Sequence, residues 1–126
     1  ASLTMRNTIL AANIADVEGS NCYQTLTSLG HNLFGDLAGC TVASLKASDV
    51  VGEDARLAPL TISRPGTLSH TPRGGSAAID AGACDLSADQ NGAPRPVDGD
   101  LDGDATCDIG AVEFAPLRVW LPVVLR

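Results

Sequence analysis

Aromatic side chains are scarce: Tyr23, Phe34, Phe114 and Trp120 are the whole supply, 3% of 126 residues. A platform of stacked rings for gripping sugars or bases is therefore poorly provided. Long apolar runs are missing too. No stretch reaches the roughly 20 residues that a membrane-spanning helix needs, and no basic segment leads into an apolar one at the N-terminus. The eight Lys and Arg form no cluster and the net charge is −7. Nucleic acid and anionic lipid are thereby excluded as general electrostatic partners. A start at Ala1 rather than at Met leads us to expect that an upstream segment has been removed.

Catalytic motifs are equally sparse. His31 and His70 are the only imidazoles, and neither lies in a Gly-x-Ser-x-Gly setting or an equivalent one. Arg73-Gly74-Gly75-Ser76 has neither the spacing nor the lysine of a phosphate loop. Glycoside hydrolysis needs two carboxylates held across a sugar, and nothing in the order of the fifteen acidic residues singles out such a pair. The expectation is a protein that is not an enzyme.

What the chain does hold is turn chemistry. Thirteen glycines and seven prolines, set among many Ser, Thr, Asn and Asp, favour short strands and frequent turns over helices. Apolar residues make up 44% and are mostly Ala, Leu and Val, so the core should be thin and aliphatic. The reading is all-β, with one domain over residues 1–114 and an apolar strand over residues 115–126.

Cys22, Cys40, Cys84 and Cys107 fall into two sequence-local pairs without CxxC spacing, which argues for disulfides rather than zinc or redox chemistry. The expected bridges are Cys22–Cys40 and Cys84–Cys107, although four cysteines allow three connectivities. Each would close a loop of about 20 residues, worth roughly 3 kcal/mol, and would place the protein in an oxidising compartment. The alternative is four buried thiols in a reducing one.

Along the chain, a short strand is expected around Thr8-Ile9-Leu10 and another apolar run over residues 26–29. The turn Gly30-His31-Asn32 then enters a strand at Leu33-Phe34. From Asn7-Thr8-Ile9-Leu10 to His31-Asn32-Leu33-Phe34 is about one coil of a parallel β-helix. The asparagines before each strand suit either a ladder at the coil corners or ordinary turns. Residues 46–60 are expected to contain one helical turn capped by Ser48 or Asp49. Pro65-Gly66 and Pro72-Arg73-Gly74-Gly75 mark turns around a strand at residues 67–70, and residues 85–108 read as a polar loop pinned by its cysteines.

Several strings together carry a resemblance. They are Asn7-Thr8-Ile9-Leu10, Ser28-Leu29-Gly30-His31-Asn32-Leu33, Ser76-Ala77-Ala78-Ile79-Asp80-Ala81-Gly82, and Asp89-Gln90-Asn91-Gly92-Ala93-Pro94-Arg95-Pro96 followed by Asp108-Ile109-Gly110-Ala111-Val112-Glu113. In this order they resemble the C-terminal end of secreted bacterial right-handed parallel β-helix proteins, the "choice-of-anchor" domains of surface proteins, across residues 7–114. The resemblance implies a pectate-lyase-like solenoid end, exported and held at or near the cell surface. It does not imply catalysis, because the active groove of such enzymes is built by several successive coils. Within the last string Asp89 suits backbone N–H capture, Gly92 a positive φ, and Arg95 a pairing with Asp80, Asp108 or Glu113.

Two segments point beyond the fold. Asp98-Gly99-Asp100-Leu101-Asp102-Gly103-Asp104 alternates carboxylates with small residues, as a calcium loop does. The ligand set expected is Asp98, Asp100, Asp102, Asp104 and Asp108, although the twelfth position is Ile109 where a bidentate acid belongs, and a solvated acidic turn is the competing reading. The tail from residue 117 is apolar and β-prone. Leu117, Val119, Trp120, Leu121, Val123, Val124 and Leu125 are expected to pair as a strand, either on their own domain or on the next subunit.

The functional expectation is a short right-handed parallel β-helix end with an irregular disulfide-pinned cap. It would act as an extracellular or cell-surface structural or adhesive module, self-associating or binding surface components and possible calcium. The rival is a fragment of a carbohydrate-binding or carbohydrate-degrading β-helix with a polysaccharide partner.

Overall fold

A computed structural model describes residues 2–64 and 66–116, the side chains of Ser63 and Arg64 excepted. The expected pairing strand with Leu117, Val119, Trp120, Leu121, Val123, Val124 and Leu125 lies outside the described residues. Among these residues the structure is all-β with no helix, and none is long and apolar enough to cross a membrane.

Among the described residues eight short strands form three small sheets: β1 (Leu3–Met5), β2 (Ile9–Leu10), β3 (Gln24–Ser28), β4 (Leu33–Phe34), β5 (Cys40–Ala43), β6 (Val50–Val51), β7 (Thr61–Arg64) and β8 (Thr67–Ser69). Two sheets are parallel and three-stranded, ordered β1-β3-β5 and β2-β4-β6, and the third is the antiparallel pair β7-β8. The parallel registers repeat along the chain. Leu3 pairs with Leu26 and Ile9 with Leu33, 23 and 24 residues on; Gln24 then pairs with Cys40 and Leu33 with Val50, 16 and 17 residues on.

Each repeat turns a corner in the left-handed region. Asn7 (φ 51) and His31 (φ 55) occupy equivalent positions before β2 and β4, and Asn and His are among the side chains that tolerate it. After the corner, Leu33 and Phe34 point to opposite faces, as successive strand residues must. Leu33 enters a cluster with Ala55, Ala78 and Ile109, while Phe34 enters one with Met5 and Leu26. Both Leu33 and Phe34 are fully buried, so one dipeptide ties two small aliphatic cores together.

The helical turn expected after residue 46 does not form. Asp49 sends its carboxylate back to the N–H groups of Lys46 (2.8 Å) and Asn32 (2.9 Å) instead of capping a forward turn, and β6 follows at once. The reason is competition: an Asp side chain that captures backbone donors behind it removes the advantage of a helix ahead.

Residues 76–114 make a cap of turns against the first parallel strands. Gly110 N–H donates to Asn7 O (3.1 Å), Ala83 N–H to Asn7 Oδ1 (2.9 Å), and Arg6 forms an ion pair with Asp85 at 2.7 Å. Gly82 ends the Ser-Ala-Ala-Ile-Asp-Ala-Gly string because a Cβ there would fall 2.7 Å from Asn7 Oδ1 and closer still to the Asp108 backbone. Cys22 is bonded to Cys40 and Cys84 to Cys107, with Cα separations of 5.4 and 5.2 Å, and no described cysteine is free. The first bridge staples the approach to β3 onto β5. The second closes the polar loop at its two ends.

Candidate functional site

The polar residues assemble in three places, and a groove beside β2 opens to solvent. The first is a buried spine between successive parallel strands. Asn32, fully buried, accepts the Thr8 N–H through Oδ1 (3.1 Å) and donates through Nδ2 to Met5 O, Ser28 Oγ and Asp49 Oδ1 (3.2, 2.9 and 3.1 Å). Ser28 Oγ in turn donates to Asp49 Oδ2 at 2.6 Å. Burial alone would raise the Asp49 pKa. Hydrogen bonds from Ser28, Lys46 and Asn32 outweigh it and hold the carboxyl below its ordinary range. The asparagines expected as a ladder or as ordinary turn residues do not stack on one another: Asn7 is level with His31 and accepts Ala83 N–H, while Asn32 bridges Thr8 and Asp49, just before the strands to either side.

The second place is the cap. Asp89 Oδ1 accepts the N–H groups of Asn91 (2.8 Å) and Ala93 (2.9 Å), its Oδ2 accepts Glu113 N–H (3.0 Å), and Gly92 has φ 81. Of the three partners expected for Arg95, Glu113 is the one it meets, Nε to Oε1 at 2.8 Å, both side chains almost fully buried, while Nη2 donates to Gly110 O at 2.7 Å. Asp108 is fully enclosed and accepts the N–H groups of Asp80 and Phe114. Its burial pushes its pKa up to about 6, against the opposing pull of those two donors, and the nearby Glu113 and Asp80 charges add to the rise. Burial likewise raises Glu113. Asp108 and Glu113 are buried and fastened to backbone donors, whereas Asp89, half-buried, spends its oxygens on backbone donors and lines the groove described below.

The third is the acidic loop. Asp98 and Asp100 come together with Asp80, one carboxylate oxygen from each lying within 4.8 Å of the others. Asp80 lies eighteen residues upstream and no local pattern in the sequence signals it. Three of the five expected ligands are elsewhere. Asp108 is buried in the cap, while Asp102 is taken up by the Asp104 N–H (2.8 Å), and neither Asp102 nor Asp104 joins the trio. The cause is chain curvature: Asp98 Oδ2 accepts Gly103 N–H and Asp100 Oδ1 accepts Asp102 N–H, which folds the loop into consecutive tight turns.

Calcium takes six to eight oxygens. The trio has already committed oxygens to Gly99, Asp100, Asp102 and Gly103, and leaves Asp98 Oδ1 buried without a partner. An N–H from Asp102 lowers the Asp100 pKa, but desolvation and the charges of Asp102, Asp80 and Asp98 outweigh it and leave it above its ordinary value. The residues thus fit a cation in part, with water needed for the rest of its shell.

His31 Nδ1 lies 3.0 Å from Ala81 O and His70 Nδ1 2.8 Å from Ala58 O, so each ring donates to a main-chain carbonyl.

A groove of about 1210 Å³ lies beside β2, lined by the segment around Ile9 to Ala11, by Leu57, Leu60, Leu68 and Leu86, and by the charged Arg6, Arg73, Asp85, Asp89 and Arg95. None of the lining residues is Phe, Tyr or Trp. No signal in the sequence marked these residues as neighbours, since they come from four separate segments. No family model, curated protein or solved structure matches the chain.

Proposed function

We propose that the chain is a non-catalytic extracellular structural or adhesive module, the end of a right-handed parallel β-helix, whose role is to associate with further copies or with surface components. The observation that carries this reading is the repeated parallel register of β1-β3-β5 and β2-β4-β6, stapled by two disulfides. Strand rows of this kind offer unpaired edges at their ends, which invite further strands. The disulfides support an oxidising, extracellular setting. The acidic groups that catalysis would draw on are spent on backbone donors, as described for Asp49, Asp89 and Asp108.

Sedimentation velocity of the whole oxidised chain over a wide concentration range tests the reading. Growth of the sedimenting species with concentration is expected. A monomer at every concentration, combined with cleavage of a polysaccharide, would replace it with the rival carbohydrate reading. That rival draws its support from the groove, and the lack of aromatic rings along it weighs against sugar stacking. Within the same proposal calcium is a locking ion for the cap, held by Asp80, Asp98 and Asp100 in place of the five residues first expected. The partnerless Asp98 Oδ1 favours it.

A further inference from the structure

The groove is lined by the open edge of a strand. Leu33 N–H donates to Thr8 O (2.9 Å) and Gly35 N–H to Leu10 O (3.0 Å), so the backbone groups of Thr8 and Leu10 face β4. Those of Ile9 and Ala11 face the opposite way, because the pairing edge alternates along a strand. At the corner before them Asn7 N–H donates to Gly30 O while Asn7 O is taken by Gly110 N–H. Beyond it, the N–H and C=O groups of Ile9 and Ala11 meet the groove with no hydrogen bond from any described residue. The same groove is lined by Leu60, Leu68 and Leu86, which are 54%, 56% and 67% exposed. Unpaired backbone and exposed leucines in one groove are complementary to one kind of ligand, an extended apolar peptide that adds as a strand. At about 1210 Å³ the groove exceeds the roughly 300–1,000 Å³ of ordinary small-ligand pockets.

The chain itself contains such a peptide. Residues 117–126 place Leu117, Val119, Leu121, Val123 and Leu125 at alternate positions, which puts all five on one face of an extended strand. Pro122 falls in the other set, so its missing N–H lies on the edge that need not pair. Residues 117–126 carry Arg118 and Arg126 and no acid, and the groove is lined by Asp85 and Asp89 as well as by Arg6, Arg73 and Arg95, so the match rests on apolar side chains and the open strand edge and not on charge.

We infer that the β2 groove is the docking site for residues 117–126 of a second copy of this chain, paired with Ile9 and Ala11 and seated on Leu60, Leu68 and Leu86. The inference rests on the self-association proposed above and names its contact. Because donor segment and acceptor groove sit at different places on one chain, the contact is head-to-tail and builds rings or open filaments according to the rotation it imposes.

Trp120, the sole tryptophan, reports docking in the intact protein. Its emission should move to shorter wavelength as concentration rises, in step with sedimentation. The double variant Leu60→Asp/Leu86→Asp changes two exposed side chains, should melt like the wild type, and should require at least about tenfold more protein for the same shift. If the variant assembles and shifts as the wild type does, the groove is not the contact, although self-association stands. If emission lies at short wavelength at every concentration and reddens in the variant without a change of mass, the occupant is the chain's own segment and the second-copy contact is wrong. If neither emission nor mass responds to concentration or to the variant, both the contact and the self-association are overturned.

Discussion

Asn32→Ala isolates the buried spine. The side chain accepts one hydrogen bond from Thr8 N–H and shares its two Nδ2 protons among Met5 O, Ser28 Oγ and Asp49 Oδ1. At a net worth of about 1 kcal/mol for each of these three protons in play, their loss costs about 3 kcal/mol. That is a large part of the ~5–15 kcal/mol that holds a domain together, and it should lower the melting temperature by about 12 °C at ~4 °C per kcal/mol. Asn32→Asp is the sharper test, because it keeps the shape and the acceptor but sets a second carboxylate about 3.1 Å from Asp49 Oδ1. Two such groups cannot both ionise cheaply, so one retains its proton in the folded state and its pKa rises. A carboxyl raised on folding stabilises below its ordinary pKa, and that stability disappears as pH climbs through the raised value. The variant should therefore melt near the wild type in acid and far below it at neutral pH. Circular dichroism melts of the oxidised protein at both pH values decide the matter. Asn32→Ala melting within about 2 °C of the wild type, or Asn32→Asp melting equally at both pH values, refutes the spine as a source of stability.

Three further outcomes are expected. Cys84→Ala/Cys107→Ala opens the loop across the 23-residue separation and should lower stability by about 3 kcal/mol; an unchanged denaturation midpoint would show that the cap holds without its staple. Asp108, raised on folding to about 6, favours the folded state below the ordinary carboxyl pKa near 4, and this contribution, about 1–2 kcal/mol after allowance for screening, fades as pH rises through about 6. Subtracting the pH profile of Asp108→Asn isolates it from Asp49, which acts in the opposite sense, and a zero difference across that window would remove the effect. Millimolar calcium should raise the melting temperature of the wild type and of Asp102→Asn but not of Asp98→Asn/Asp100→Asn. Identical melting in calcium and in chelator would take the ion out of the cap.

How much of this was legible in the sequence follows from how local each cause is. β2 and β4 were visible because Asn-Thr-Ile-Leu and His-Asn-Leu-Phe pair a corner residue with a strand pair that must be buried. β1 was not, since only Met5 of its three residues points inward and one buried side chain makes no pattern. Asp49 was misread as a helix cap because the Asn32 donors it serves lie seventeen residues back. The acidic loop announced its own charge yet not its partner, Asp80. The Arg95–Glu113 pair was among the readings because few acids stood near enough to satisfy a buried guanidinium. The groove could not be foreseen at all: its walls converge through tertiary packing alone.

The cap's hold on the first strands has a consequence for the order in which the molecule can be made. Asn7 is secured by Ala83 and Gly110, and Arg6 by Asp85, across 76, 103 and 79 residues of chain. A polypeptide emerging N-terminus first, from a ribosome or through an export pore, can set β1 beside β3 early. The cap residues that cover Asn7 and Arg6 follow 76 to 103 residues later. Contacts so distant in sequence form slowly, and until they do the Asn7 carbonyl extends the bare edge that Ile9 and Ala11 present, where other nascent chains can pair. Any truncation before residue 83 should for this reason yield aggregates instead of a smaller folded piece, so the stretch that folds last guards the first strands against the wrong neighbour.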